Sequence, residues 1–165
     1  MRCKRNLAGV GDVDTPPGIS LRTALGHDFH PLVGLDRECF GTRAWSAAEW
    51  WEAVVEPGWT TLVAERQGAL IAAVVLLLWP PVASLASIAV HPAHRHRGLG
   101  RFLLRDALAR ARAAHTRWLT LEVDVSNHAA IRLYTDEGFG LVRRFREAGR
   151  RRLEMAHRLG RAGSR

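Results

Sequence analysis

Three arginines and two glycines crowd one short stretch of this chain. Arg95, Arg97 and Arg101 surround Gly98 and Gly100 within Ala89–Leu104, AVHPAHRHRGLGRFLL. An apolar strand leads into the turn and a long amphipathic helix leaves it. The first amides of a helix lack intrahelical acceptors and carry the positive end of its dipole. Glycines let backbone approach an anion closely, and arginines add fixed positive charge. The junction therefore suits a phosphorylated ligand. It is not a P-loop, because no Gly-Lys-Ser/Thr follows. Nor is it a dinucleotide fingerprint, because the third glycine of G-x-G-x-x-G falls at Leu103. His91, His94 and His96 share the turn, but their spacing is unusual for a metal site and the arginines oppose a cation. They read as surface or phosphate-proximal histidines, and no metal is expected.

A second group with chemical potential follows. Trp118–Val125 alternates strictly, with Leu119, Leu121, Val123 and Val125 pointing one way and Thr120, Glu122 and Asp124 the other. If this strand lies in a parallel sheet buried on both faces, Glu122 is costly without a purpose or a partner. A paired or strand-end carboxylate is the alternative reading. Ser126 or Asn127 then caps a helix running through Glu137, with Gly138 as its natural C′ residue. That helix holds Tyr134, the only tyrosine of the chain.

These groups need a scaffold, and the pattern supplies one domain over residues 19–159. Met1–Gly18 has no periodicity and reads as a flexible leader, and residues 160–165 read as a frayed tail. Ile19–Thr23 is a short strand, and Ala24–Cys39 is weakly helical with Pro31 in its first half. Ser46 and Glu49 form a capping box for a helix over Ala47–Val55, which Pro57–Gly58 ends. Trp45, Trp50 and Trp51 around it either line a pocket or pack the core. Trp59–Glu65 and Ala69–Trp79 make a hairpin across Arg66–Gly68, and Val82–Val90 returns after Pro80–Pro81. The helix after the basic turn runs to about His115. Phe139–Glu147 and Arg151–His157 close the chain as an antiparallel pair across Ala148–Gly149. The fold class is α/β (α+β), a mixed sheet whose long helix provides a parallel, right-handed crossover.

Composition narrows the class. Of 165 residues, 47% are hydrophobic and 24% charged, ordinary values for a globular domain large enough to bury a core. The net charge is +8, and every basic residue but Lys4 is Arg, which favours an acidic ligand or reflects a solvated basic surface. Cys3 and Cys39 cannot frame a disulfide scaffold. Absence of a signal-type apolar segment, and an apolar run no longer than Ala69–Trp79, point to a soluble cytoplasmic protein without a membrane partner. No recognition helix or aromatic RNA platform is evident, so no specific nucleic acid is expected.

The stretches Ser87–Leu104, SIAVHPAHRHRGLGRFLL, and Leu121–Phe139, LEVDVSNHAAIRLYTDEGF, resemble the GNAT superfamily of acyl-CoA-dependent N-acyltransferases. The first looks like the family's R/Q-x-x-G-x-G/A pyrophosphate loop. The second is similar to its E-V…N-x-x-A-x-x-L-Y-x-x-x-G-F segment. The likeness covers about Ile19–Leu159. It implies a mostly antiparallel sheet of about seven strands, helices on both faces, and a central splay that binds acyl-CoA. It further implies that acetyl-CoA is the cosubstrate. Its pyrophosphate would lie on backbone from Arg95, His96, Arg97, Gly98, Leu99, Gly100 and Arg101. Its pantetheine arm would run along strand backbone at Ile88, Ala89 and Val90, with Asn127 at the mouth of the splay. Arg105 or Arg132 would reach the 3′-phosphate, unless they belong to a solvated helix face. Tyr134 would sit near the thioester sulfur.

Acyl transfer to an amine needs a neutral nucleophile, a positioned thioester and a proton for the departing thiolate. Glu122 precedes Tyr134 by the spacing of the bacterial ribosomal-protein N-terminal (alanine) acetyltransferases, the branch this chain resembles most. That resemblance implies Glu122 as base and Tyr134 as acid, with Asp124 the alternative base. The expected function is acetyl transfer to a primary amine, first of all the N-terminus of a protein such as a ribosomal protein. The final hairpin departs from that branch, because Arg146–Met155 is compact and lacks tyrosine. A small amine (amino sugar, polyamine or amino acid) is therefore the alternative acceptor. A non-catalytic acyl-CoA-binding module is a further alternative.

Overall fold

A computed structural model describes residues 15–160. The leader through residue 14, Cys3 within it, and the tail from residue 161 lie outside the described residues. The elements run β1 (Ser20–Thr23), α1 (Phe29–Phe40), α2 (Ala47–Val55), β2 (Trp59–Arg66), β3 (Ala69–Trp79), β4 (Val82–Val90), α3 (Leu99–Ala113), β5 (Trp118–Asp124), α4 (His128–Asp136), β6 (Gly140–Glu147) and β7 (Arg150–Arg158). The seven strands form one sheet in the order β1-β2-β3-β4-β5-β7-β6. Every neighbouring pair is antiparallel except β4 and β5, which α3 joins as a parallel crossover. This is the mixed, mostly antiparallel sheet that the sequence predicts.

The continuous apolar run of β3 follows from its central place, with helices against both faces. Along β2 and β3, Leu62, Val74 and Leu76 turn towards α3, where they meet Phe102, Leu103 and Leu104. Their neighbours Val63, Ala73 and Val75 turn the other way and meet Leu32 and Leu35 of α1 and Trp50 and Ala53 of α2. A 3-10 turn over Gly26–Asp28 precedes α1, so the helix starts later than its sequence pattern suggests. Arg22 ties that turn to the sheet, bonding Asp28 at 2.6 Å and Glu65 at 2.5 Å. Pro31 sits in the first turn of α1, where a missing N–H loses no helix bond. The capping box of α2 forms, with Glu49 N–H donating to Ser46 Oγ and Ser46 N–H to Glu49 Oε2. Helix α3 stops at Ala113 rather than His115, because His115 takes a left-handed φ of 58° and Thr116 Oγ1 caps the Ala111 carbonyl at 2.9 Å. Among the described residues, no helix is long and apolar enough to cross a membrane.

One irregularity shapes the site. β4 and β5 pair only from Val82↔Trp118 to Leu85↔Leu121. Against β3, the register of β4 then jumps from Leu76↔Leu85 to Val75↔Ser87, leaving Ala86 as a bulge. Beyond that point β4 and β5 part, and each presents an unpaired edge to the other.

Candidate active site

The parted strands open a cleft of about 990 Å³ bordered by β4, the basic turn, α4, β5, the β6–β7 hairpin and the α1 side of the sheet. On its β4 wall, His91 N–H donates to Ile71 O at 2.9 Å, so residues in step with His91 bond to β3. Alternation in an antiparallel ladder then turns the polar groups of Ile88 and Val90 to the open edge, and those of Ala89 to β3. Ala89 does not line the cleft. It is buried among α1 and α2 side chains. The Val90 carbonyl is already used, accepting from Arg95 Nε at 2.9 Å and Cys39 Sγ at 3.3 Å. The Val90 amide and both polar groups of Ile88 face the splay.

At the basic turn the backbone does what the glycines suggest. Gly98 is the N-cap of α3 with φ of 80°, and no side chain caps the helix. The first intrahelical bond runs from Phe102 N–H to Gly98 O at 3.0 Å, leaving the amides of Leu99, Gly100 and Arg101 ahead of it. His96 also has a positive φ, 60°, which curls the turn around these amides. A Cβ on Gly98 would meet no protein atom within 4 Å, so the space in front of the amides is open. This cradle fits a pyrophosphate. The arginines fit it less directly than expected. Arg101 pairs with Asp136 at 3.0 Å and Glu137 at 3.2 Å, Arg105 pairs with Glu137 at 2.8 Å, and Arg97 does not line the cleft. Two of these guanidinium groups fasten α3 to α4. Likewise His91 donates to Glu38 across 2.7 Å while its Nδ1 accepts from Ala93 N–H at 3.2 Å. Among the described residues, no group of His, Cys, Asp and Glu side chains is placed to hold a metal.

Farther into the cleft, Asn127 caps α4, its Oδ1 accepting from Ala130 N–H at 3.2 Å. Two turns of helix later Tyr134 lies against Phe139, buried, with burial pushing its phenol up to about 12. Among the described residues, no protein group hydrogen-bonds its hydroxyl, and the residue borders the cleft.

Glu122 differs from the expectation of a buried carboxylate. Its side chain is 41% exposed, faces the cleft, and lies 3.4 Å from Arg152 Nη1. The reason is coverage. Side chains of α3 seal the Leu119, Leu121 and Val123 face of β5, whereas α1 and α2 pack over β2, β3 and the end of β4. The Glu122 face is left open. Asp124 is bound to its own turn, accepting from Ser126 N–H at 2.9 Å and Ser126 Oγ at 2.6 Å. Those bonds hold its carboxyl below the usual range and make it the poorer base.

Several cleft residues escaped the sequence reading: Asp36, Cys39 and Arg43 on the α1 side, and Arg150 and Arg152 on β7. For the arginines there was no signal, since more than a hundred positions separate Arg43 from its companions in the chain. Asp36 carried one, a carboxylate on the helical face of Leu32 and Leu35. The tryptophans divide. Trp45 borders the cleft, Trp50 is core, and Trp51 is exposed.

The family described as Acetyltransferase (GNAT) matches residues 27–140, the span holding the cradle, Glu122, Asn127 and Tyr134. The chain belongs to the GNAT acetyltransferase family. Among curated GNAT relatives it is 30% identical over 105 residues to an L-methionine sulfoximine/L-methionine sulfone acetyltransferase of Salmonella typhimurium, covering 61% of each chain. It is 33% identical over 98 residues to a Bacillus subtilis protein named for ribosomal protein bS18-alanine N-acetylation, covering 59% of this chain and 65% of that one. The chain thus spans less than two thirds of either relative. The ribosomal-protein-S18-alanine N-acetyltransferase of Escherichia coli superposes with a TM-score of 0.81 at 24% identity, over 88% of this chain and 96% of that one. A Salmonella typhimurium structure with its cofactor acetyl-CoA superposes with a TM-score of 0.72 at 22% identity, over 89% and 97%. At these identities the structures establish a shared GNAT fold.

Proposed function

We propose that this protein is an acetyl-CoA-dependent N-acetyltransferase acting on a primary amine by direct attack on the thioester. The observation that carries the reading is a single cleft that joins a cradle of unpaired helix amides, an open strand edge, an unpartnered phenol and a solvent-reachable carboxylate. Acetyl-CoA, when bound, supplies the acyl group as an activated thioester. The amides of Leu99, Gly100 and Arg101 hold its pyrophosphate, while Ile88 and the Val90 amide pair with its pantetheine arm. A strand amide there also donates to the oxygen on which charge develops. Glu122 takes a proton from the attacking amine, directly or through water. As the new C–N bond replaces the C–S bond, Tyr134 gives its proton to the sulfur.

For the acceptor, the first reading is a protein N-terminal amine. It rests on the Glu122–Tyr134 spacing and on the relatives named for ribosomal protein S18. A second reading is a small amine bearing a carboxylate, favoured by Arg43, Arg150 and Arg152 on the cleft wall and by the relative named for methionine derivatives. Incubation with acetyl-CoA and a panel of N-terminal peptides, amino acids, their amides, amino sugars and polyamines tests both, read by free-thiol release and product mass. Acetylation of peptides supports the first reading, and preference for free amino acids over their amides supports the second. Binding of acetyl-CoA with no amine turned over would leave only an acyl-CoA-binding module.

A further inference from the structure

Asp36 is a carboxylate bordering the cleft that the proposed chemistry leaves without a task and that, unlike Asp124, is buried. It is 1% exposed, on the same face of α1 as Leu32 and Leu35. Burying a carboxylate among apolar side chains is costly unless its oxygens are bonded. Burial indeed pushes the Asp36 carboxyl up, and the bond from the Trp45 amide opposes the shift. That bond is short, 2.6 Å from Trp45 N to Asp36 Oδ2. Trp50 Nε1 is buried nearby without an aligned partner of its own and also favours the charged carboxylate.

The donor matters because of where it sits. Gly41–Arg43 forms a short 3-10 turn between α1 and α2, closed by Ala44 N–H to Gly41 O at 3.2 Å. Trp45 ends that connection just before the Ser46 cap. Its ring packs 5.2 Å from Trp50 and 6.3 Å from Trp59, and both Trp45 and Arg43 line the cleft that Glu122 also lines. At one end the connection is fixed by the α1 backbone, Gly41 N–H to Arg37 O, and at the other by the α2 capping box. Between those points, Asp36 is the side chain of α1 that holds it.

We propose that Asp36 is a positioning residue for the acceptor amine: through the Trp45 amide it fixes the wall formed by Arg43 and Trp45 against which the acceptor is held. It touches neither the cradle nor Tyr134. Its effect is therefore confined to the acceptor, and this inference rests on the transferase reading above.

The test compares Asp36→Ala, Asp36→Asn and a control, Thr61→Ala. The control removes a different buried bond on α2, Thr61 Oγ1 to Ala53 O at 2.6 Å, away from the cleft. The Asp36→Ala change is expected to raise the KM of any accepted amine about tenfold, with the KM of acetyl-CoA within about twofold. Asp36→Asn retains an oxygen for the Trp45 amide and is expected to recover most of the loss. Hydrogen exchange over residues 41–46, measured without substrate, is expected to quicken in Asp36→Ala and not in the control. Equal rises in both KM values would overturn the proposal, as would an equal rise in amine KM in Thr61→Ala or unchanged exchange in Asp36→Ala. If the wild-type protein acetylates no amine, the transferase reading fails. The exchange measurement still judges whether Asp36 holds the wall.

Discussion

The two halves of the cleft are built on different principles. The half proposed to take the cofactor is made of backbone: amides at the start of α3 and the free edge of β4, within one stretch from Ile88 to Arg101. The half proposed to take the acceptor is lined by side chains from α1, β5 and β7, with Asp36, Glu122 and Arg152 drawn to one cleft from distant parts of the chain. A backbone site needs only the right conformation, which glycine and a helix start provide locally. A side-chain site needs the whole sheet in register before it exists. Cofactor binding can therefore persist while the residues that choose an acceptor change.

That contrast can be broken by substitution, and the largest effect is expected in the backbone half. Gly98→Val forces a branched side chain to φ of 80° and places bulk before the amides, so acetyl-CoA binding should be lost in calorimetry while the fold survives. Retained binding would show that the cradle is not the pyrophosphate site. Next comes Tyr134→Phe, which keeps the ring and removes the proton; kcat should fall by about a hundredfold with little change in acetyl-CoA KM. Glu122→Gln should lower kcat/KM by about tenfold at neutral pH, with recovery as the amine deprotonates in more alkaline buffer. A loss that persists at high pH would assign Glu122 to acceptor binding instead. The smallest effect is expected at Arg97, which lies off the cleft. Arg97→Ala should raise acetyl-CoA KM by about twofold, through long-range attraction alone. An effect comparable to that of Gly98→Val would erase the distinction between backbone and charge.

Titration sharpens the same comparison. Tyr134 stays protonated to about 12 in the folded protein, against 10.0 for the free side chain. The folded state thus binds the proton more tightly, and this contribution to stability is fully present below pH 10. It is lost as pH rises from 10 towards 12. Unfolding by denaturant at pH 9 and pH 11 should show a steeper loss for the wild type than for Tyr134→Phe. Below about 12 the phenol also remains available as an acid, across the alkaline range in which an amine acceptor becomes mostly neutral.

Much of this was legible in the residues. The alternation of β5, the unbroken apolar run of β3, the Ser46–Glu49 box and the Gly98 turn each follow from local rules that tertiary packing did not override. What failed were statements about coverage. Glu122 reads as buried if both faces of β5 are assumed sealed, yet α1 and α2 cover other strands and leave it in the cleft. Ala89 reads as part of the pantetheine wall, yet the strand's alternation gives its polar groups to β3. The guanidinium of Arg101 is engaged elsewhere, bonding Asp136 and Glu137 across to α4, which leaves its backbone amide as its part of the cradle.

The sequence by itself determined the order of elements and the half of the site made from backbone, because hydrophobic period, caps and glycine conformation act over a few residues. Only the tertiary structure decided which charges meet. Whether Arg43, Arg150 and Arg152 share a wall with Glu122 depends on strand order and on where a helix happens to leave a sheet face bare. Neither is set by any short stretch of chain.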